Sequence, residues 1–247
     1  GQERVIVSPR SGTTRDSVDI PFTRNGKKYV RIDTAGVKRP GKVEEDLDKF
    51  AVIRSADAAK RADVILLLID ASEGLVSQDI HVTSYARDNN KPVVLVVNKW
   101  DLHAHGPQDQ QNFVKERKAY LRFLDFAPVV FTSAINATNI NAIFKARDDI
   151  ETNLNKKVPS SLLNSLIRRA QLDNEAPDFN GGRLKISYIT LTKDSIPTFI
   201  VFCNNPNYFH FSYKRYLENV IRKEFGFDNC PIRLLIRAKR EDNIGRK

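Results

Sequence analysis

Methionine is missing from all 247 residues, the first included. A natural chain of this length ordinarily carries several, so the sequence is expected to begin inside a longer protein or to have been edited. Cysteine occurs only at Cys203 and Cys230. That excludes a disulfide framework, fits a reducing compartment, and rules out a zinc site built from cysteine alone. Long apolar runs are lacking too. The longest, Val64 to Ile69 and Pro92 to Val97, fall far short of the ~20 residues a membrane helix needs. The opening Gly1-Gln2-Glu3-Arg4 starts no apolar stretch of the signal-peptide kind. A cytoplasmic protein without a membrane partner is therefore expected. What is present is balanced, with 41% hydrophobic and 28% charged residues, which excludes wholesale disorder.

Charge is less even. The net charge is +10, and residues 157–247 hold 16 Lys+Arg against 9 Asp+Glu, so most of the excess sits in the last third. A small basic unit points to a polyanion, most simply RNA. A basic face kept for solubility is the plainer alternative.

Residues 1–156 alternate between strand and helix patterns. Val18 to Arg24 and Lys27 to Asp33 flank Asn25-Gly26, a strong hairpin signal. Three apolar runs follow, Val64 to Ile69, Val93 to Val97 and Val129 to Thr132, of the kind that suits a mostly parallel sheet. Helical patterns cover Val43 to Lys60, Ser77 to Asn89, Asp109 to Leu121 and Ile140 to Leu154. The alternation predicts a doubly wound α/β domain with one antiparallel strand, and ligand chemistry at the carboxyl ends of the strands. A second unit, residues 157–240, reads α-β-β-α-β: a helix over Ser161 to Ala170, a loop over 171–182, strands at Leu184 to Leu191 and Thr198 to Asn204, a helix from Tyr213 to Phe225 ended by Gly226, and a strand at Ile232 to Arg237. This predicts a small α+β domain with three strands. Residues 241–247 read as a basic tail.

Four signals sit at the ends of the N-terminal strands in one order: Gly12-Thr13-Thr14-Arg15-Asp16, Asp33-Thr34-Ala35-Gly36, Asn98-Lys99-Trp100-Asp101 and Ser133-Ala134. Asp-x-x-Gly or Ser-Ala alone says little, and Asn-Lys-x-Asp after a buried strand says more; the ordered set is specific. An ionised Asp101 only accepts hydrogen bonds, so it can pair with the ring N–H and exocyclic amine of guanine, whereas adenine would leave it unpaired. Asn98 can bond the base edge and brace neighbouring loops, and the Lys99 stem can lie across the base. The Ala134 N–H, after Ser133, can reach the guanine carbonyl. Asp33 and the Thr14 hydroxyl are candidate Mg²⁺ ligands, since hard cations take oxygen. Gly36 offers an N–H to a γ-phosphate with no side chain in the way. Without that context, Asn98 and Asp101 would simply cap a turn.

With these residues the chain resembles the TRAFAC GTPases, and within them the Der/EngA family of ribosome-assembly GTPases. Arg4-Val-Ile-Val-Ser8, Gly41-Lys-Val-Glu44, Val97-Asn-Lys-Trp-Asp-Leu102, Phe123-Leu-Asp-Phe-Ala-Pro128 and Phe209-His-Phe-Ser-Tyr-Lys-Arg-Tyr-Leu-Glu-Asn219 are similar to that family's second GTPase domain and its KH-like domain. The resemblance implies a P-loop GTPase-type doubly wound sheet followed by a KH-like domain, with GTP/GDP and Mg²⁺ as ligands. It also implies a role in maturation of the large ribosomal subunit, with ribosomal RNA or a subunit precursor as partner of a monomer. Nucleotide state would switch that binding.

The chain also departs from the pattern. No G-x-x-x-x-G-K-[ST] loop occurs in it; the family carries that phosphate cradle, with the first strand and helix, just upstream of Gly1. Pro9-Arg10-Ser11 replaces an Asp-Ile-Pro-like stretch of the family. Val37 stands where many GTPases place a water-orienting Gln, so no catalytic residue is assigned; the resemblance implies help from another polar group, the backbone or a monovalent cation such as K⁺. The chain by itself is expected to be inactive and to bind GTP no better than millimolar. A KH-type Gly-x-x-Gly clamp is also missing. Lys214, Arg215, Arg222 and Lys223 are the candidate RNA contacts. Phe209, Phe211, Tyr213 and Tyr216 are expected to be core more often than base-stacking, and His210 to be packed or hydrogen-bonded. The competing function is a non-enzymatic RNA-binding or scaffold module whose nucleotide function went with the phosphate loop.

Overall fold

The computed structural model describes residues 18–33, 57–74, 77–102, 106–118, 124–192 and 194–239. It divides into two compact units, Gly1–Phe144 and Lys145–Lys247.

In the first unit, β1 (Val18–Arg24) and β2 (Lys27–Asp33) form an antiparallel hairpin. Asn25 (φ 49°) and Gly26 (φ 76°) make the left-handed pair that a two-residue hairpin turn requires. The opposed rings of Phe22 and Tyr29 stack at 5.1 Å, and the Phe144 ring meets both edge-on. The predicted antiparallel strand is thus present, but among the described residues it pairs only within its hairpin.

Then come β3 (Ile65–Asp70), α1 (Ser77–Asp88), β4 (Val93–Asn98), α2 (Pro107–Lys118), β5 (Val129–Phe131) and α3 (Ile140–Leu154). The strands form a parallel sheet in the order β3-β4-β5. Central β4 buries Val93 through Val97 on both faces, as a covered parallel strand must. β3 departs from that expectation. Leu67 and Ile69 are buried, but Leu66 and Leu68 on its other face are exposed. The expected helix over Val43 to Lys60 lies mostly outside the described residues; 57–61 are helical.

The second unit takes in the last two-thirds of α3, α4 (Ser160–Asp173), the short hairpin β6 (Asp178–Phe179) and β7 (Gly182–Arg183), β8 (Ile186–Thr192), β9 (Thr198–Cys203), α5 (Phe211–Phe225) and β10 (Arg233–Ala238). Its sheet runs β10-β9-β8, with β9 parallel to β10 and antiparallel to β8. The expected loop over 171–182 contains a hairpin instead, because Asn180 (φ 52°) and Gly181 (φ 83°) supply another left-handed turn. Helix α5 starts two residues earlier than expected, since the His210 ring caps it by accepting the Ser212 N–H. It stops at Gly226 in the left-handed conformation (φ 63°).

The core of this unit is Phe199, Val201, Leu163, Leu217, Ile221 and Phe227, all fully buried. Edge strand β8 is closed by two amide side chains of α4, two turns apart. Asn164 accepts the Ile189 N–H and donates to the Ile189 carbonyl, both at 2.9 Å. Gln171 does the same at Ile186, at 2.8 and 3.3 Å. They satisfy backbone groups that an open edge would offer to another chain. Both cysteines are free and buried, and burial pushes Cys230 up to about 11, so neither is an activated thiol.

Candidate functional site

The parallel register sets Asp70 beside Asn98 at the carboxyl ends of β3 and β4. Backbone bonds tie the chain just beyond the strand ends: Ala71 N–H to the Asn98 carbonyl (2.9 Å), Thr132 N–H to Val97 (2.8 Å) and Trp100 N–H to Thr132 (3.0 Å). Lys99 is left-handed (φ 60°) and turns the chain into a single 3-10 turn, Trp100–Leu102. The Trp100 ring locks that turn by packing on Phe131 (4.4 Å) and edge-on to Phe113 (5.5 Å).

Asn98 acts mainly as a brace. Its Oδ1 accepts the Ala134 N–H at 3.0 Å and the Thr132 hydroxyl at 3.3 Å. The Ala134 N–H, expected at a guanine carbonyl, is therefore given to Asn98 in this structure. Ser133 is buried, pairs with Thr138 through the backbone, and accepts the Asn136 N–H on its hydroxyl at 3.3 Å. It shapes the turn that exposes Ala134. Asp101 is exposed, and among the described residues its carboxylate has no hydrogen-bond or ion-pair partner.

The Lys99 ammonium has a partner that sequence alone did not name. It lies 2.6 Å from Asp70 Oδ2. Asp70 also accepts the Ser72 N–H (2.9 Å) and hydroxyl (2.6 Å) on Oδ1. Burial acts to raise the Asp70 pKa, but the Lys99 ammonium and the two Ser72 donors outweigh it and bring the carboxyl down to about 2. Asp70 escaped the sequence reading. Its signal was positional, since it ends the run Ile65–Ile69 as Asn98 ends the next one.

Thr14 and Gly36 lie outside the described residues, and Asp33 is described only as the last residue of β2. Among the described residues no group of three or more His, Cys, Asp or Glu could hold a metal ion, so the Mg²⁺ assignment rests on sequence pattern alone.

In the second unit the four basic candidates separate. Arg215 and Lys223 are exposed and Lys214 is half-buried. One Arg222 nitrogen donates to the carbonyls of Phe227 and Cys230, both at 2.7 Å. That gives Arg222 a structural task, the closing of the loop after α5. Lys156 joins it, donating to the Phe225 (3.0 Å) and Gly226 (2.5 Å) carbonyls. Of the four aromatic candidates Tyr213 is buried, Phe209 and Tyr216 are half-buried, and Phe211 is 77% exposed.

Two family descriptions match this chain. "KH-domain-like of EngA bacterial GTPase enzymes, C-terminal" covers residues 157–237, and "50S ribosome-binding GTPase" covers residues 1–99. The GTPase Der of Mycoplasma capricolum is 44% identical over 239 residues, 97% of this chain and 55% of that protein. The chain belongs to the Der/EngA family. The GTPase Der of Alkaliphilus oremlandii is 43% identical over 97% of this chain and 54% of its own length, so the chain spans about half the length of these Der relatives. Among solved structures, that of Era in complex with MgGDPNP and part of 16S ribosomal RNA aligns over 96% of this chain and 85% of its own, at a TM-score of 0.51 and 20% identity. That likeness supports the fold: a GTPase-type α/β unit followed by a KH-like one. No helix among the described residues is long and apolar enough to cross a membrane.

Proposed function

We propose that this chain is the nucleotide-switched, RNA-binding portion of a GTP-binding and GTP-hydrolysing factor that acts in maturation of the large ribosomal subunit. Residues 1–156 would form the GTPase domain and 157–240 the KH-like domain. One observation carries the guanine assignment. Asn98 ties the ends of β4 and β5 together, and the Asp101 carboxylate beside it is left exposed without a partner among the described residues. A carboxylate held on a rigid turn can accept two N–H groups at once, and guanine presents such a pair.

Lys99, anchored by Asp70, would lie beside the base. Thr14, Asp33 and Gly36 are the residues proposed toward Mg²⁺ and the γ-phosphate. Mg²⁺ bound with the triphosphate would neutralise charge on the phosphate oxygens. In the second unit Lys214, Arg215 and Lys223 are the proposed ribosomal RNA contacts, joined by the positive excess of residues 157–247. The similarity of residues 1–99 to a ribosome-binding GTPase description supports the GTPase half of this reading, and that of residues 157–237 to a KH-like description supports the other.

The test is nucleotide titration of the full-length protein. GTP should bind far more tightly than ATP. Asp101→Asn should lose GTP by roughly 10³-fold or more and gain xanthosine triphosphate, whose altered edge can meet an amide. Equal affinity for ATP and GTP in the unmodified protein would sink the assignment. A second reading, a non-enzymatic RNA-binding module, is favoured by the lack of any G-x-x-x-x-G-K-[ST] loop in these 247 residues. It predicts that the full-length protein, like this chain, binds GTP no better than millimolar.

A further inference from the structure

Helix α5 carries a ring on the wrong side for a core residue. Its buried stripe is Tyr213, Leu217 and Ile221, at the four-residue spacing of one helix face. Phe211 lies two residues before that stripe, about 200° away around the helix, and is 77% exposed.

The ring has a built support. The His210 ring lies 4.3 Å from it at 42°, and the Phe179 ring meets His210 edge-on at 4.8 Å. His210 is held by its cap: Nδ1 accepts the Ser212 N–H at 3.3 Å and sits 2.6 Å from the Ser212 hydroxyl. Phe179 is held by its hairpin. Asn180 donates to the Asn207 carbonyl at 2.9 Å, and Gly182 lies so close to the Tyr208 ring that a Cβ there would come within 2.4 Å of it.

Lys214 and Arg215 follow Phe211 by three and four residues, which places them next to it on the helix surface. The acidic residues near Phe179 are already engaged, since Arg183 pairs with Glu175 (2.6 Å) and Asp178 (3.1 Å).

We propose that Phe211, backed by His210 and Phe179, is a stacking platform for one unpaired RNA base, with Lys214 and Arg215 receiving the adjoining phosphates. Every base has a π-face and every nucleotide a phosphate, so a fixed aromatic beside two cations recognises single-stranded RNA with little sequence preference. A protein partner would call for a wider apolar surface than one exposed ring flanked by charge. This surface does not need the Gly-x-x-Gly clamp that the unit lacks. The inference rests on the reading of the second unit as RNA-binding and adds where an unpaired base goes.

The test uses the 247-residue chain and a single-stranded RNA of about ten nucleotides with 2-aminopurine at its centre, whose fluorescence is quenched by stacking. Quenching and anisotropy are read together across a salt series. The unmodified chain should bind and quench. Phe211→Ala should abolish the quenching and weaken binding about tenfold or more, with the slope of log K against log[salt] unchanged. Phe211→Tyr should restore both. Reversing Lys214 and Arg215 to Glu should flatten that slope instead. Full quenching by Phe211→Ala, with binding still lost on charge reversal, would overturn the stacking platform, leave the RNA-binding reading standing, and give the exposed ring to a protein surface. No salt-sensitive RNA binding by the unmodified chain would overturn both.

Discussion

The two compact units use their polar side chains in opposite ways. In the second unit they close the protein on itself. Asn164 and Gln171 seal the edge of β8, while Arg222, Lys156 and Asn153 donate to carbonyls in the turn that follows α5. In the first unit polar groups gather at the carboxyl ends of parallel strands. There Asn98 braces two loops and Asp70 anchors Lys99, yet Asp101 is left without a partner among the described residues. Its internal bonds make the second unit a frame, although the Tyr213 hydroxyl and Arg233 Nε are buried in it without a partner among the described residues. A carboxylate left open on a turn is what the proposed guanine contact requires.

Substitutions can break this contrast, the largest expected effect coming from the frame. Phe199 is fully buried and meets Phe227 edge-on at 5.5 Å. Phe199→Ala should cost about 3–5 kcal/mol, read by chemical denaturation followed through near-ultraviolet dichroism. A loss below 1 kcal/mol would show that this core is not close-packed.

Arg222→Ala comes next. It removes charge-assisted bonds to two carbonyls, and a cost of about 2–3 kcal/mol is expected. If Arg222 were instead an RNA contact, the variant would keep its stability and lose RNA affinity. Running denaturation and RNA titration on one sample separates the two.

The smallest effect belongs to the site. The Lys99 ammonium and the Ser72 donors bring the Asp70 carboxyl down to about 2 in the folded protein, below its ordinary value of 3.8. A depressed carboxylate stabilises the fold fully above the unfolded value, and that stabilisation is lost as pH falls toward the folded one. Lys99 is half-exposed, so water screens the pair and about 1 kcal/mol is expected. Asp70→Asn should therefore be less stable than the parent by a constant amount above about pH 5, with the gap closing between pH 4 and 2. A gap independent of pH down to 2 would mean that Asp70 does not hold Lys99 through its charge.

Much of this was legible along the chain. The three apolar runs became parallel strands, Asn25-Gly26 became the hairpin turn, and Gly226 ended α5, because local periodicity and turn chemistry act over a few residues. The hairpin at 178–183 was missed because two-residue strands leave no periodic signal; only Asn180-Gly181 marked it. Lys214, Arg215, Arg222 and Lys223 looked alike as four cations on one helix. The fold gives Arg222 to the loop at 227–230, whose position no spacing within the helix reveals.

The residues by themselves determined most of the strand–helix order, the family, and that Asn98 ends the apolar run of β4. Those depend on side-chain type and on spacing along one element. Tertiary structure decided the rest: that Asp70 and not the solvent receives Lys99, that the Ala134 N–H is held by Asn98, and that Phe211 stands outside while Tyr213, two residues on, is buried. Each depends on which strand end or helix face a neighbouring element reaches, and residues far apart in sequence meet only once the sheet register and helix packing are set.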